Sequence, residues 1–256
     1  MFDPSKFTVQ QAKPMPVLLL LDVSGSMYGA KMDTLNEAVR TMLDAFVREE
    51  RNETSIIVSI ITFGEKVLRL FPFTPASEVK YRDLNAGGGT PLGTALEMAK
   101  AMIEDKDETP GRAYRPLVVL VSDGQPNIVD WRSPLEAFIT QGRSSKCDRM
   151  AMAIGTDADR DVLGRFIAGT GNPLFEAHEA SEIKNFFKMV TMSVTTRTTN
   201  ARKDTQKSEV PLSYPPSSPV ASSPVPQKKP ILPVNVTLDG PSIVTSNGDN
   251  DDDSYF

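Results

Sequence analysis

Val17-Leu18-Leu19-Leu20-Leu21-Asp22-Val23-Ser24-Gly25-Ser26 sets an unbroken apolar run directly against a loop of short, oxygen-bearing side chains. The run does not alternate with polar residues, so it predicts a strand buried on both faces, as in a parallel sheet covered by helices. Spacing by two along a turning backbone directs Asp22, Ser24 and Ser26 to one side, and Gly25 lets the chain curl tightly. Short side chains hold their oxygens close to the backbone. A small ion is then enclosed with little loss of rotamer freedom.

Outward from this stretch, strands and helices alternate. In Met32 to Val47 the apolar positions Leu35, Ala38, Val39, Met42, Leu43, Phe46 and Val47 recur at three and four residues, which predicts an amphipathic helix. Ile56 to Phe63 reads as a second strand. Lys66 to Phe71, closed by Pro72, reads as its antiparallel hairpin partner at the sheet edge. A glycine-rich loop, Gly87-Gly88-Gly89, precedes a helix from Pro91 to Ile103. Leu117 to Val121 is another buried strand, stopped at Ser122-Asp123-Gly124. Pro134 to Gln141 follows as helix, Met150 to Ile154 as strand, Asp159 to Ala168 as helix and Leu174-Phe175 as a minimal strand. Ser181 to Met192 is the last helix, with Ser181 as its N-cap. The fold class is therefore α/β: a doubly wound, mostly parallel twisted sheet with one antiparallel edge strand and helices on both faces. In such sheets ligands sit beyond the carboxyl ends of the strands, so function is sought in the loops that follow them.

Apolar periodicity ends near Val194. One domain over 1–194 is expected, followed by a Pro/Ser-rich, acidic-ended tail over 195–256 without a core of its own. Within the tail, Val234, Val236 and Leu238 alternate as an added β-strand requires. The 28 basic and 33 acidic residues give a formal charge of −5, which supplies no electrostatic footprint for nucleic acid. A single cysteine, Cys147, suits a reducing compartment. The N-terminal segment lacks the apolar core of a signal peptide, and no apolar run is long enough to span a bilayer, so a cytoplasmic location without membrane association is expected.

Three loops at carboxyl ends of strands gather the chemistry: Asp22 to Ser26, Gly87 to Pro91 with the Thr90 hydroxyl, and Ser122 to Gly124 with Asp123. They offer hard oxygen donors and no His, Cys or Met. That set selects Mg²⁺, with Mn²⁺ or Ca²⁺ as alternatives, and disfavours zinc. His178, the sole histidine, lies far away in sequence.

Asp22-Val23-Ser24-Gly25-Ser26, with Thr90 and Asp123 downstream, resembles the metal-ion-dependent adhesion site of von Willebrand factor A domains, whose Rossmann-like fold is the same doubly wound sheet. The resemblance implies that Ser24, Ser26 and Thr90 bind the metal directly, that Asp22 and Asp123 act directly or through water, and that a partner's Asp or Glu carboxylate completes the shell. Tyr28, Gly88, Gln125 and Asn127 are then the rim of the binding face, with Trp131 as an anchor or a core cap. The stretches VLLLLDVSGSM, ITFG, GGGTPLGTAL and VLVSDGQPN are similar to small bacterial cytoplasmic proteins of the TerY type, linked with tellurium resistance and stress responses. That likeness implies a scaffold or adaptor beside a protein kinase and a PP2C-type phosphatase. Two alternatives stand beside it. One is Mg²⁺-dependent phosphoryl transfer, against which count Ser24 in place of a second Asp and the lack of an evident phosphate-anchoring lysine. The other is an extracellular adhesion module. A non-enzymatic role, with no catalytic residues, is the expectation.

Overall fold

The computed structural model describes residues 13–50, 55–126 and 131–208. Six strands, β1 (Pro14–Asp22), β2 (Ser55–Phe63), β3 (Val67–Pro75), β4 (Leu117–Ser122), β5 (Asp148–Ile154) and β6 (Leu174–Ala177), are interleaved with five helices. These are α1 (Ala30–Glu50), α2 (Leu92–Glu104), α3 (Arg132–Thr140), α4 (Arg160–Ile167) and α5 (Ala180–Ser208). The sheet order is β3-β2-β1-β4-β5-β6, parallel throughout except for the β2–β3 pair.

The lack of alternation in β1 has a direct cause. Val17, Leu19 and Leu21 pack into the layer formed with α1 and α5, which includes Leu35, Phe46, Phe187 and Val190. Leu18 and Leu20 pack into the opposite layer with Leu96 of α2, Phe138 of α3 and Phe166 of α4. Every residue of β1 after Pro14 is buried. The chain winds outward from β1 in one direction and from β4 in the other, so the strand order reverses between these neighbours. Their register pairs Leu21 with Val121, which sets Asp22 beside Ser122 at the carboxyl edge of the sheet. Such a switch point is where an open α/β sheet offers its crevice.

Three expectations are corrected. Pro72 does not close the edge strand: β3 continues to Pro75. Val58 pairs with Thr74 and Ile60 with Phe71, so Pro72 and Phe73 together oppose Ser59 in a bulge. The Ser59 hydroxyl donates to the Phe71 carbonyl at 2.7 Å across it. Proline is tolerated because a bulge on an edge strand needs no ladder donor. Secondly, α5 does not stop at Met192 but runs through Ser208, across the expected boundary at 194. The apolar pattern fades there, yet Val194 and Thr198 are buried and Arg197 pairs with Asp148 of β5, so packing continues where hydrophobic periodicity does not. Finally, Ser181 lies inside the first turn of α5. The Glu182 carboxylate caps that helix, accepting from the amides of His178 at 2.5 Å and Glu179 at 3.0 Å.

Candidate metal centre

Asp22, the last residue of β1, is fully buried with both carboxylate oxygens engaged. Oδ1 accepts from the Ser24 amide at 2.8 Å, and Oδ2 accepts from the Ser122 hydroxyl at 2.5 Å. Ser24 then leads into a single 3-10 turn, Gly25–Met27. This turn brings the Ser24 and Ser26 hydroxyls to 3.0 Å from each other, and Ser26 donates to Asp123 Oδ1 at 2.6 Å. The spacing by two thus sets the Ser24 and Ser26 hydroxyls side by side.

The glycine-rich loop is fastened to the first loop by main-chain bonds. Gly25 N donates to Gly88 O at 3.0 Å, Gly87 N to Val23 O at 2.7 Å and Glu65 N to Gly87 O at 3.0 Å. Gly88 has φ +79°, and a Cβ on it would lie 2.3 Å from the Glu65 backbone, so only glycine fits. Thr90, at the end of this loop, is buried. A Cβ on Gly124 would lie 3.6 Å from the Thr90 hydroxyl and 3.7 Å from that of Ser26, so both hydroxyls face the same bare backbone beyond β4. All five expected ligand residues thus converge on one end of the sheet.

Burial raises the Asp22 carboxyl above the usual aspartate range; the bonds from Ser122 and Ser24 oppose this, and the charge of Asp123 adds to it. A cation beside the two carboxylates offsets both the burial and the repulsion. Among the described residues no group of three or more His, Cys, Asp or Glu could hold a metal, so the hydroxyls are an essential part of any cation site here. Three hydroxyls and two buried carboxylates are hard oxygen donors, and they fit a divalent ion of the Mg²⁺ class.

Three residues that serve the site went unassigned in the sequence. Ser122 was seen only as part of a loop, although a hydroxyl ending a fully buried strand needs a partner, and that partner is Asp22. Lys31 sits in the first turn of α1, where the helix dipole disfavours a cation; that was its only signal. Its ammonium lies 2.5 Å from Asp123 Oδ2 and donates to Ser26 O at 3.3 Å. Asn36, on the buried face of α1, accepts from the Tyr81 hydroxyl at 2.7 Å and Leu84 N at 2.8 Å and donates to Leu84 O at 3.0 Å. It anchors the segment that leads into the glycine-rich loop.

Of the expected rim, Tyr28 is 81% exposed beside the ligand loop, and Gln125 is exposed next to Gly124. Gly88 is exposed too, but its contacts are those of a brace between loops. Asn127 lies outside the described residues. Trp131 packs partly buried against the α2–α3–α4 layer, with the Arg132 guanidinium 4.6 Å from its ring centre. His178 is exposed just beyond the carboxyl end of β6, 3.5 Å from Glu176.

Residues 17–125 match the family described as the von Willebrand factor type A domain. The fold is that of a von Willebrand factor A domain. Among solved structures, the von Willebrand factor type A protein of Catenulispora acidiphila superposes with a TM-score of 0.58 at 17% identity, over 72% of this chain and 43% of that one. Proximal thread matrix protein 1 from the mussel byssus, in a form with a zinc-occupied MIDAS motif, gives 0.55 at 17% identity over 70% and 48% of the two chains. Inter-alpha-trypsin inhibitor heavy chain H2 of Sus scrofa is 26% identical over 203 residues, which cover 72% of this chain and 21% of that protein. The E3 ubiquitin-protein ligase WAV3 of Arabidopsis thaliana is 26% identical over 150 residues, covering 57% and 19%. The chain thus spans about a fifth of these relatives' length. Among the described residues no helix is long and apolar enough to cross a membrane.

Proposed function

We propose that this von Willebrand factor A domain is a protein-binding module, not an enzyme, which grips a partner's Asp or Glu carboxylate through a divalent cation held by Asp22, Ser24, Ser26, Thr90 and Asp123. The observation that carries the reading is the convergence of three hydroxyls and two buried carboxylates at the switch point, beside an exposed Tyr28. The cation, when bound, supplies an electrophilic centre that neutral hydroxyl donors leave weakly neutralised, so a carboxylate is its natural partner ligand. The chain's own residues do the rest. Ser122 and the Ser24 amide fix Asp22, the Gly25–Gly88 bond sets the first loop against the second, and Tyr28 offers an aromatic contact beside the ion.

Mg²⁺ is the first candidate and Mn²⁺ or Ca²⁺ the alternatives. The zinc in the thread matrix protein motif makes zinc a fourth ion to titrate, although nitrogen and sulfur ligands suit it better. The narrower reading, a TerY-type cytoplasmic adaptor in a tellurium-resistance or stress system with a kinase and a PP2C-type phosphatase as partners, is supported by the stretches VLLLLDVSGSM, GGGTPLGTAL and VLVSDGQPN. Phosphoryl transfer is the lesser reading, because Ser24 stands where a second carboxylate would act as acid or base.

The test is an affinity capture from native extract with the full chain, in Mg²⁺ and in EDTA, alongside Asp22→Ala. A partner retained in Mg²⁺ and lost both in EDTA and with Asp22→Ala is expected. Identical capture in all three arms would move recognition away from this site.

A further inference from the structure

Lys31 reaches into the site from the helix that follows the first ligand loop. Its ammonium contacts Asp123 Oδ2 at 2.5 Å, while the other oxygen of the same carboxylate accepts from Ser26 at 2.6 Å. The Asp123 side chain is fully buried and that of Lys31 is 39% exposed. A Cβ on Gly155, in the loop after β5, would lie 3.6 Å from the ammonium, so the charge rests in a notch between the loops that follow β1, β4 and β5. A lysine in the first turn of a helix works against the helix dipole, and this placement therefore has a compensating cause.

We propose that the Lys31 ammonium is a tethered cation that competes with the divalent ion for Asp123. It balances the buried carboxylate in the metal-free domain and lowers the metal affinity of the site. The inference rests on the metal-site reading given above. A buried carboxylate without a cation is strongly destabilising, and Lys31 supplies that cation when no metal does. Once a divalent ion enters, two positive centres share one carboxylate in a poorly screened pocket, and they repel. Lysine is suited to yield: its charge is compact, its stem is flexible, and its head already borders water. Removing the charge therefore has two effects of opposite sign. The metal-free fold loosens and the metal binds more tightly. An ion pair with a merely structural role produces the first effect without the second.

The experiment uses the full chain as wild type, Lys31→Met, Lys31→Gln and Lys31→Arg, with calorimetric titration of Mg²⁺ and Mn²⁺ and thermal melting in EDTA and in saturating Mn²⁺. Met and Gln variants that melt earlier in EDTA, recover in Mn²⁺ and bind metal about tenfold more tightly or better, with Arg close to wild type, are the expected result. Metal binding by these variants when wild type shows none supports the proposal equally, as does folding that depends on added Mn²⁺. Variants that bind no more tightly than a metal-binding wild type, or that stay unfolded in Mn²⁺, overturn the lysine's role and leave the metal site standing. Absence of binding in every chain overturns both.

Discussion

Asn36→Ala removes one side chain from α1, and with it every bond that ties the 79–86 segment to that helix through this residue. Tyr81 OH and Leu84 N lose their acceptor, and Leu84 O loses its donor. Each bond contributes about 1 kcal/mol net, and the half-buried groups left behind are partly recovered by water, so the loss sums to about 2–3 kcal/mol. For a domain of this size that corresponds to a fall in melting temperature of about 5–10 °C. Tyr81→Phe breaks only one of the three bonds and should cost about 1 kcal/mol. The double variant should cost less than the sum of the singles, because both report on the same contact. Urea and thermal unfolding followed by circular dichroism give all three numbers. The segment also delivers Thr90, so Asn36→Ala should weaken Mn²⁺ binding in parallel. An Asn36→Ala variant no less stable than Tyr81→Phe, or strictly additive with it, would mean that Asn36 does not anchor the segment through these bonds.

Ser122→Ala strips Asp22 Oδ2 of its donor and should destabilise the metal-free chain by about 2 kcal/mol, a loss that saturating Mn²⁺ partly restores; melting in EDTA and in Mn²⁺ measures both. At Glu104, burial pushes the carboxyl up, but the Arg143 amide, the Lys100 ammonium and the Ser144 amide outweigh it and hold the group at about 2. Its folded value lies below the ordinary 4.5, so its stabilisation is full above that pH and fades as the pH falls toward 2. Glu104→Gln should therefore melt a few degrees below wild type at neutral pH and coincide with it in strong acid, the difference being modest because the side chain is a third exposed. Burial pushes the Cys147 thiol up to about 12. The folded chain should leave a disulfide reagent unreacted at mildly alkaline pH, with reaction appearing only in denaturant.

The doubly wound sheet was legible because its central strand is covered on both faces, which the unbroken apolar run Val17 to Leu21 records. The candidate metal-binding residues stood out in the sequence because they lie in loops that end such strands and carry short oxygen-bearing side chains. What stayed hidden depends on register. That Ser122 faces Asp22 follows from the pairing of Leu21 with Val121, which no local pattern records. That Lys31 returns to Asp123 and Asn36 reaches Leu84 is likewise a property of packed helices. The extension of α5 was missed because Arg197 ties it to Asp148 through an ion pair, to which hydrophobic periodicity is blind. Pro72 misled because a bulge let the edge strand pass a residue that usually ends one.

The proposed function stands on five oxygen-bearing side chains from three loops holding one divalent cation. Anomalous diffraction from Mn²⁺-soaked crystals of the chain tests it most directly. A single peak is expected among the hydroxyls of Ser24, Ser26 and Thr90 and the carboxylates of Asp22 and Asp123, absent in Asp22→Ala. A peak elsewhere, or none at saturating Mn²⁺, would contradict it.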